Sequence, residues 1–210
     1  LILLPDLSIS CSGRVLSVLL TSRYPIEELD KKKVMFSRET ASAASFMKMI
    51  FSRKEISPVY EVGPVDDCRR LAETMDAVLV IGDNALVQPW DQVYEHCFDL
   101  GELWYEMTQL PFVFAVWAVR RDFAEKFPDV VADIHHLLLD SRREGYAHIR
   151  DVIKTAGART GLQHDLLKEY YDLLYCDLDD RKVSAMKVFF DSLVEQQVLT
   201  EKPTVEFFNG

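Results

Sequence analysis

The residue types that most often carry chemistry are thinly and irregularly placed along this chain. Its four cysteines, Cys11, Cys68, Cys97 and Cys176, form no C-x-x-C and no paired spacing. They read as reduced thiols of a cytoplasmic protein, not as a disulfide framework. The five histidines offer no H-x-x-x-H face, and His135 and His136 are adjacent, so on a helix they point in different directions. That argues against zinc. Chemistry of another kind is offered at two expected helix starts, Thr40-Ala41-Ser42 and Gly82-Asp83-Asn84. The first turn of a helix leaves N–H groups without partners at the positive end of the dipole, where they can hydrogen-bond an anion. Thr40 or Ser42 is the natural N-cap of the first helix, and Gly82 supplies the turn into the second.

Hydrophobic pattern places the elements that must hold these groups. Leu1 to Leu4 is a short apolar run closed by Pro5-Asp6, and Leu7 to Ser10 leads to a turn in which Gly13 can take a positive φ. Strands are expected at Ser17 to Ser22, Val34 to Phe36, Pro58 to Val62 and Ala77 to Ile81, and helices at Phe46 to Phe51 and Pro64 to Met75. Short strand–helix alternation predicts an α/β fold with parallel pairing. The densest apolar run, Phe112 to Val119, reads as a strand buried on both faces, and the chain reads as organised around the stretch Asp99 to Arg121 that contains it. Beyond Arg121 the pattern is helical: Pro128 to Ala156, Asp165 to Tyr175 and Asp180 to Leu199. Gly157 and Gly161 mark the first break, Asp179 is placed to cap the last helix, and Val188, Phe189, Leu193 and Val194 form a core stripe.

With 210 residues, 49% of them hydrophobic, the chain can build a substantial core. A formal charge of -10 argues against nucleic acid and anionic membrane as partners, because both are bound through basic patches. The longest basic run, Lys31-Lys32-Lys33, reads as a solvated loop. No apolar run approaches a membrane span, nothing reads as a signal peptide, and the expected compartment is the cytoplasm. The chain opens without methionine, so a preceding piece is expected.

In order along the chain, Leu4-Pro5-Asp6-Leu7, Gly13 with Ser17-Val18-Leu19-Leu20 and Ser22-Arg23, Ile81-Gly82-Asp83 with Ala85-Leu86, Asp99-Leu100-Gly101 with Trp104, and Thr108 with Leu110 to Trp117 resemble the chorismate dehydratases of the futalosine route to menaquinone. Tyr170 and the Leu174-Tyr175 step are similar too. The resemblance implies a two-lobed clamshell of the type II periplasmic-binding-protein kind, with residues 1–29 and 109–210 in the first lobe and 30–108 in the second. Family members begin with a further stretch of the first lobe, carrying an asparagine implicated in catalysis, which this chain lacks; an isolated copy is therefore expected to be a poor enzyme.

The activity implied is the loss of water from chorismate, giving 3-[(1-carboxyvinyl)oxy]benzoate, with no metal and no organic cofactor. Chorismate carries two carboxylates, and the helix starts at Thr40, Ala41, Ser42 and at Gly82, Asp83, Asn84 are the expected anion donors in the cleft. Ser17 stands where the family has an active-site serine; read without the resemblance, it is a strand-start serine bonded to local backbone. Asp83 reads first as a helix cap. Three departures stand out. The family's Ser-Arg-Thr-Ser is here Thr40-Ala41-Ser42-Ala43, without its arginine; Arg14 replaces a proline and reads as an exposed side chain; Gln109 replaces a glycine, at a cost in turn freedom. The alternatives are a non-catalytic protein that binds a small carboxylate in the same clamshell, and the sister lyase that forms dihydroxynaphthoate. Oligomeric state is not fixed by the sequence.

Overall fold

The chain's structure is a computed structural model that describes residues 1–38 and 40–209. β1 (Ile2–Cys11) runs straight through Pro5 and Asp6, which the sequence suggested would end it. A bulge absorbs them: the register against its antiparallel partner shifts between Leu3 and Ser8, and Asp6 takes φ 54°. Proline has no N–H to give the ladder, and a bulge is where it fits inside a sheet. The Arg142 guanidinium bonds the Asp6 carboxylate at 2.8 Å and holds its carboxyl below the usual range.

Next come β2 (Val18–Ser22), β3 (Lys33–Phe36), α1 (Ala41–Arg53), β4 (Val59–Val62), α2 (Cys68–Thr74) and β5 (Ala77–Ile81). They are followed by α3 (Asp83–Val87), α4 (Trp90–Val93), β6 (His96–Asp99), α5 (Leu100–Thr108) and β7 (Phe112–Val119). The rest is α6 (Arg121–Lys126), α7 (Pro128–Ala147), α8 (Ile149–Thr160), α9 (His164–Leu173), β8 (Leu174–Tyr175) and α10 (Asp180–Glu195). α2 starts later than expected because the Asp67 side chain accepts from the amides of Arg69 and Arg70, so Pro64 lies in the preceding loop. The long expected helix breaks at His148 into α7 and α8. Gly157 is inside α8, and only Gly161, at φ 75°, ends it. Asp179 does cap α10, accepting from the Lys182 amide at 2.8 Å.

Two sheets form. One has the order β7-β1-β8, all antiparallel. The other has the order β4-β3-β5-β2-β6, in which β3 runs parallel to β4 and β5 while β2 is antiparallel to β5 and β6. Parallel pairing therefore holds for three strands and not for β2. The carboxyl ends of β3, β4, β5 and β6 and the amino end of β2 consequently share one rim, the edge at which open α/β sheets bind ligands. The chain passes between sheets at residues 12–17 and 109–111. By sheet membership β2 belongs with the second sheet, where Leu20, Thr21 and Ser22 are fully buried between β5 and β6, although the expected division kept residues up to 29 with the first.

β7 is not enclosed as its composition suggested. Phe112 and Phe114 meet one apolar cluster and Trp117 and Val119 another, but as an edge strand it leaves Ala115 and Ala118 exposed. Its first residue joins the cluster that ties the two sheets together. Phe112 stacks against Phe46 of α1 (5.1 Å between centroids), Trp104 of α5 (5.2 Å) and Phe189 of α10 (5.1 Å). The pairs with Trp104 and Phe189 are edge-to-face, and such pairs add about 0.5–1.5 kcal/mol each beyond their buried area. Of the expected stripe on α10, Phe189 and Leu193 are buried while Val188 is exposed.

Candidate active site

The loops that follow β3 and β4 line a cavity of about 540 Å³ at the shared rim, with Leu79 and Ile81 of β5 at its floor. Thr40 and Asn84 are on its wall, together with Ser37, Arg38 and the segment Gly63-Pro64-Val65-Asp66. Thr40 occupies the N-cap position of α1, but its hydroxyl donates to the Ser37 carbonyl at 2.7 Å and makes no cap bond. No acidic side chain stands in the first turn, where Ala41 and Ser42 are exposed. The first-turn amides have no capping side chain from Thr40, and a 13-residue helix places its positive end beside the cavity. Arg38 adds a full charge to the wall, two residues before Thr40. The arginine absent from Thr40-Ala43 thus has a counterpart in the loop ahead of the helix.

Asn84 is tied into the scaffold. Its Nδ2 donates to the Val65 carbonyl at 2.8 Å, and its backbone carbonyl accepts from Trp90 Nε1 at 2.7 Å. Gly82 and Asp83 lie beside the cavity wall and not in it. Gly82 takes φ 63° and ψ -142° as the N-cap of the five-residue α3. Asp83 is the first helical residue, exposed and without a cap hydrogen bond, so the cap reading for its side chain does not hold. Its charge contributes, after burial and Tyr170, to the raised pKa of Tyr171 on α9.

Ser17 also stands beside the cavity, on the amino end of β2, where the next residue, Val18, is in register with Ile81. Its carbonyl accepts the Gly82 amide at 2.7 Å. The residue is 5% exposed, and its hydroxyl makes no hydrogen bond among the described residues, nor is it a sealed, unsatisfied group. Among the described residues the local backbone bond expected of a structural serine is absent. The preceding turn carries Gly13 at φ 103°, as its sequence suggested, and Leu16 at φ 62°. Arg14 is committed elsewhere, to an exposed ion pair with Glu169 at 3.3 Å.

The structure therefore brings Thr40 and Asn84 onto one wall, sets Ser17 beside Gly82 at its edge, and leaves Ala41, Ser42 and Asp83 on the exposed turns of their helices. Ser37, Arg38 and the loop 63–66 were missed from sequence. Their signal was position alone: each directly follows a strand of the parallel set. No group of three or more His, Cys, Asp or Glu able to hold a metal occurs among the described residues. Among these residues the four cysteines are free, and burial, with the Asp99 charge second, pushes the Cys11 thiol up to about 12, out of reach of nucleophilic work near neutral pH.

Comparison with known proteins bears on the fold and the family. Periplasmic binding proteins share the fold: the alkanesulfonate-binding protein SsuA of Xanthomonas axonopodis pv. citri, bound to MOPS, superposes with a TM-score of 0.60 at 13% identity, covering 95% of this chain and 71% of that one. The ligand-binding component of an ABC-type import system from Staphylococcus aureus gives 0.61 at 10% identity, covering 96% and 72%. At such identities the likeness concerns fold alone. In sequence, the chain is 31% identical over 206 residues to the chorismate dehydratase of Thermus thermophilus, a match covering 91% of this chain and 73% of that protein. A family model described as menaquinone biosynthesis matches residues 1–195. On that match, which spans all but the tail beyond the last helix, the chain belongs to the menaquinone biosynthesis family.

Proposed function

We propose that this chain is a chorismate dehydratase, converting chorismate to 3-[(1-carboxyvinyl)oxy]benzoate and water. The observation that carries the reading, beside the 31% identity to a protein of that name, is the meeting at one rim of the α1 amino terminus and Arg38 with the Ser17 hydroxyl, which makes no hydrogen bond among the described residues. The substrate is a dicarboxylate. The first turn of α1 and the Arg38 guanidinium supply hydrogen bonds and charge for one carboxylate, and charge-assisted bonds of this kind are the strong ones. An acidic protein binds a dianion without contradiction, because a few oriented donors outweigh distant, screened charges.

The reaction itself asks little of the protein. A ring C–H beside the carbon that bears the hydroxyl gives up its proton, and the electron pair becomes a ring double bond. The C–O bond breaks, hydroxide leaves and takes up a proton, and the ring becomes aromatic. That gain drives the elimination, and no step requires a metal or an organic cofactor. Ser17 hydrogen-bonds the substrate and orients the proton transfer. The metabolite class and the free thiols support a cytoplasmic setting, and no helix among the described residues is long and apolar enough to cross a membrane.

Ser17→Ala in the intact protein tests the assignment. Turnover is expected to fall about a hundredfold or more, the usual scale for a group that assists proton transfer, with the melting temperature nearly unchanged because the hydroxyl makes no hydrogen bond among the described residues. A variant that keeps full activity removes Ser17 from the mechanism. A second reading, a protein that binds a small carboxylate without changing it, is favoured only by the solute-binding neighbours. Chorismate bound and recovered intact would establish it.

A further inference from the structure

Asp99 ends β6 and is buried, with 7% of its surface exposed, yet no cation pairs with it among the described residues. Its two oxygens do different work. Oδ1 accepts the amides of Gly101 (2.9 Å) and Glu102 (3.2 Å), capping α5. Oδ2 accepts the amides of Val15 (2.9 Å) and Leu16 (2.7 Å) across the chain crossing between the two sheets. Helix capping needs only the first pair. The second pair is made to a turn that an unassisted chain avoids, since Leu16 sits at φ 62°, a left-handed region that a residue with a side chain rarely adopts.

Three further contacts define the same turn. The Cys11 thiol donates to the Gly13 carbonyl at 3.2 Å. A Cβ on Gly101 would lie 2.7 Å from the Cys11 sulfur and would also collide with the Gly13 carbonyl, so only glycine allows α5 to approach this closely. One residue on from Leu16, the Ser17 carbonyl is fixed by the Gly82 amide. Ser17 is thus gripped on its amino side through Leu16 and on its carboxyl side through Gly82, while its hydroxyl has no partner among the described residues.

We infer that Asp99 is a positioning residue for the reaction: its Oδ2 clamps the Gly13–Ser17 turn in its left-handed conformation and so fixes where the Ser17 hydroxyl stands at the rim of the cavity. Asp99 touches no substrate. It acts through the backbone of Val15 and Leu16, and the inference rests on the reading of Ser17 given above. A shift of about 1 Å in a reacting group can cost about a hundredfold in rate, so a clamp of this kind matters to turnover more than to binding.

Two substitutions separate the clamp from the cap. Serine and asparagine are both strong N-caps, but each offers one acceptor oxygen where Asp99 has two, so Asp99→Ser and Asp99→Asn keep α5 and lose the hold on the turn. In the intact protein, kcat with chorismate is expected to fall about tenfold to a hundredfold while KM changes less than about threefold, and amide hydrogen exchange across residues 13–17 is expected to quicken. Exchange unchanged in both variants overturns the clamp. Faster exchange with wild-type kcat overturns its role in positioning Ser17. If one variant fails to fold, the other decides. If the wild-type protein itself does not consume chorismate, the dehydratase reading fails, and the exchange measurement still tests the clamp.

Discussion

Ser17 and Arg38 reach the same rim by different routes. Ser17 was visible only through a resemblance, because a serine at a strand start ordinarily bonds the nearby backbone. What distinguishes it is tertiary: a carbonyl held by Gly82 and an amide turn held by Asp99, with the hydroxyl making no bond among the described residues. Arg38 went unnoticed because an exposed arginine in a loop is the commonest kind, and nothing in its neighbours marks it. Its place on the cavity wall follows from β3 ending at Phe36. Arg38→Gln is expected to raise the KM for chorismate about tenfold with kcat little changed, since a hydrogen bond to a charged group contributes about 1.5 kcal/mol or more. Steady-state kinetics check this, and an unchanged KM would take Arg38 out of the substrate's grip.

At the scale of elements, strands were legible from apolar runs, and their ends were not. Pro5 and Asp6 looked like a terminator because proline breaks a ladder, but a bulge in β1 accommodates both. Pro64 looked like a helix start, but Asp67 captures the amides of Arg69 and Arg70 further on, and the freed loop became cavity wall. β7 looked enclosed because composition reports apolarity and not the number of neighbouring strands. Positive φ values can be tested as a pair. Gly82, at φ 63° and ψ -142°, has nothing within 4 Å of a would-be Cβ, so the cost of Gly82→Ala is in the backbone alone, about 1–3 kcal/mol. Gln109, at φ 57°, ends α5 in the left-handed region, where a glycine would sit without strain. Gln109→Gly is expected to stabilise by about 1 kcal/mol. Urea unfolding of both variants reads the two signs, and equal signs would contradict this account of the turns.

For the molecule as a whole, the α/β class and the importance of the stretch from Asp99 to Arg121 could be read from sequence. Asp99 clamps the turn between the sheets, Trp104 and Phe112 join the aromatic cluster that binds them, and Trp104 Nε1 donates to the Pro111 carbonyl at 2.9 Å at the return crossing. Which sheet β2 would join was not legible, because a five-residue apolar strand pairs wherever its register is met, and here it is met by β5 and β6. The crossings matter because they lie beside the rim that holds the candidate site.

The most direct measurement is to incubate the intact protein with chorismate, with and without a chelator, and to follow the mixture by mass spectrometry and ultraviolet absorption. A metal-independent dehydratase yields a product lighter than chorismate by one water, with the spectrum of a substituted benzoate, formed at the same rate in both samples. Chorismate recovered unchanged from both would contradict the dehydratase assignment.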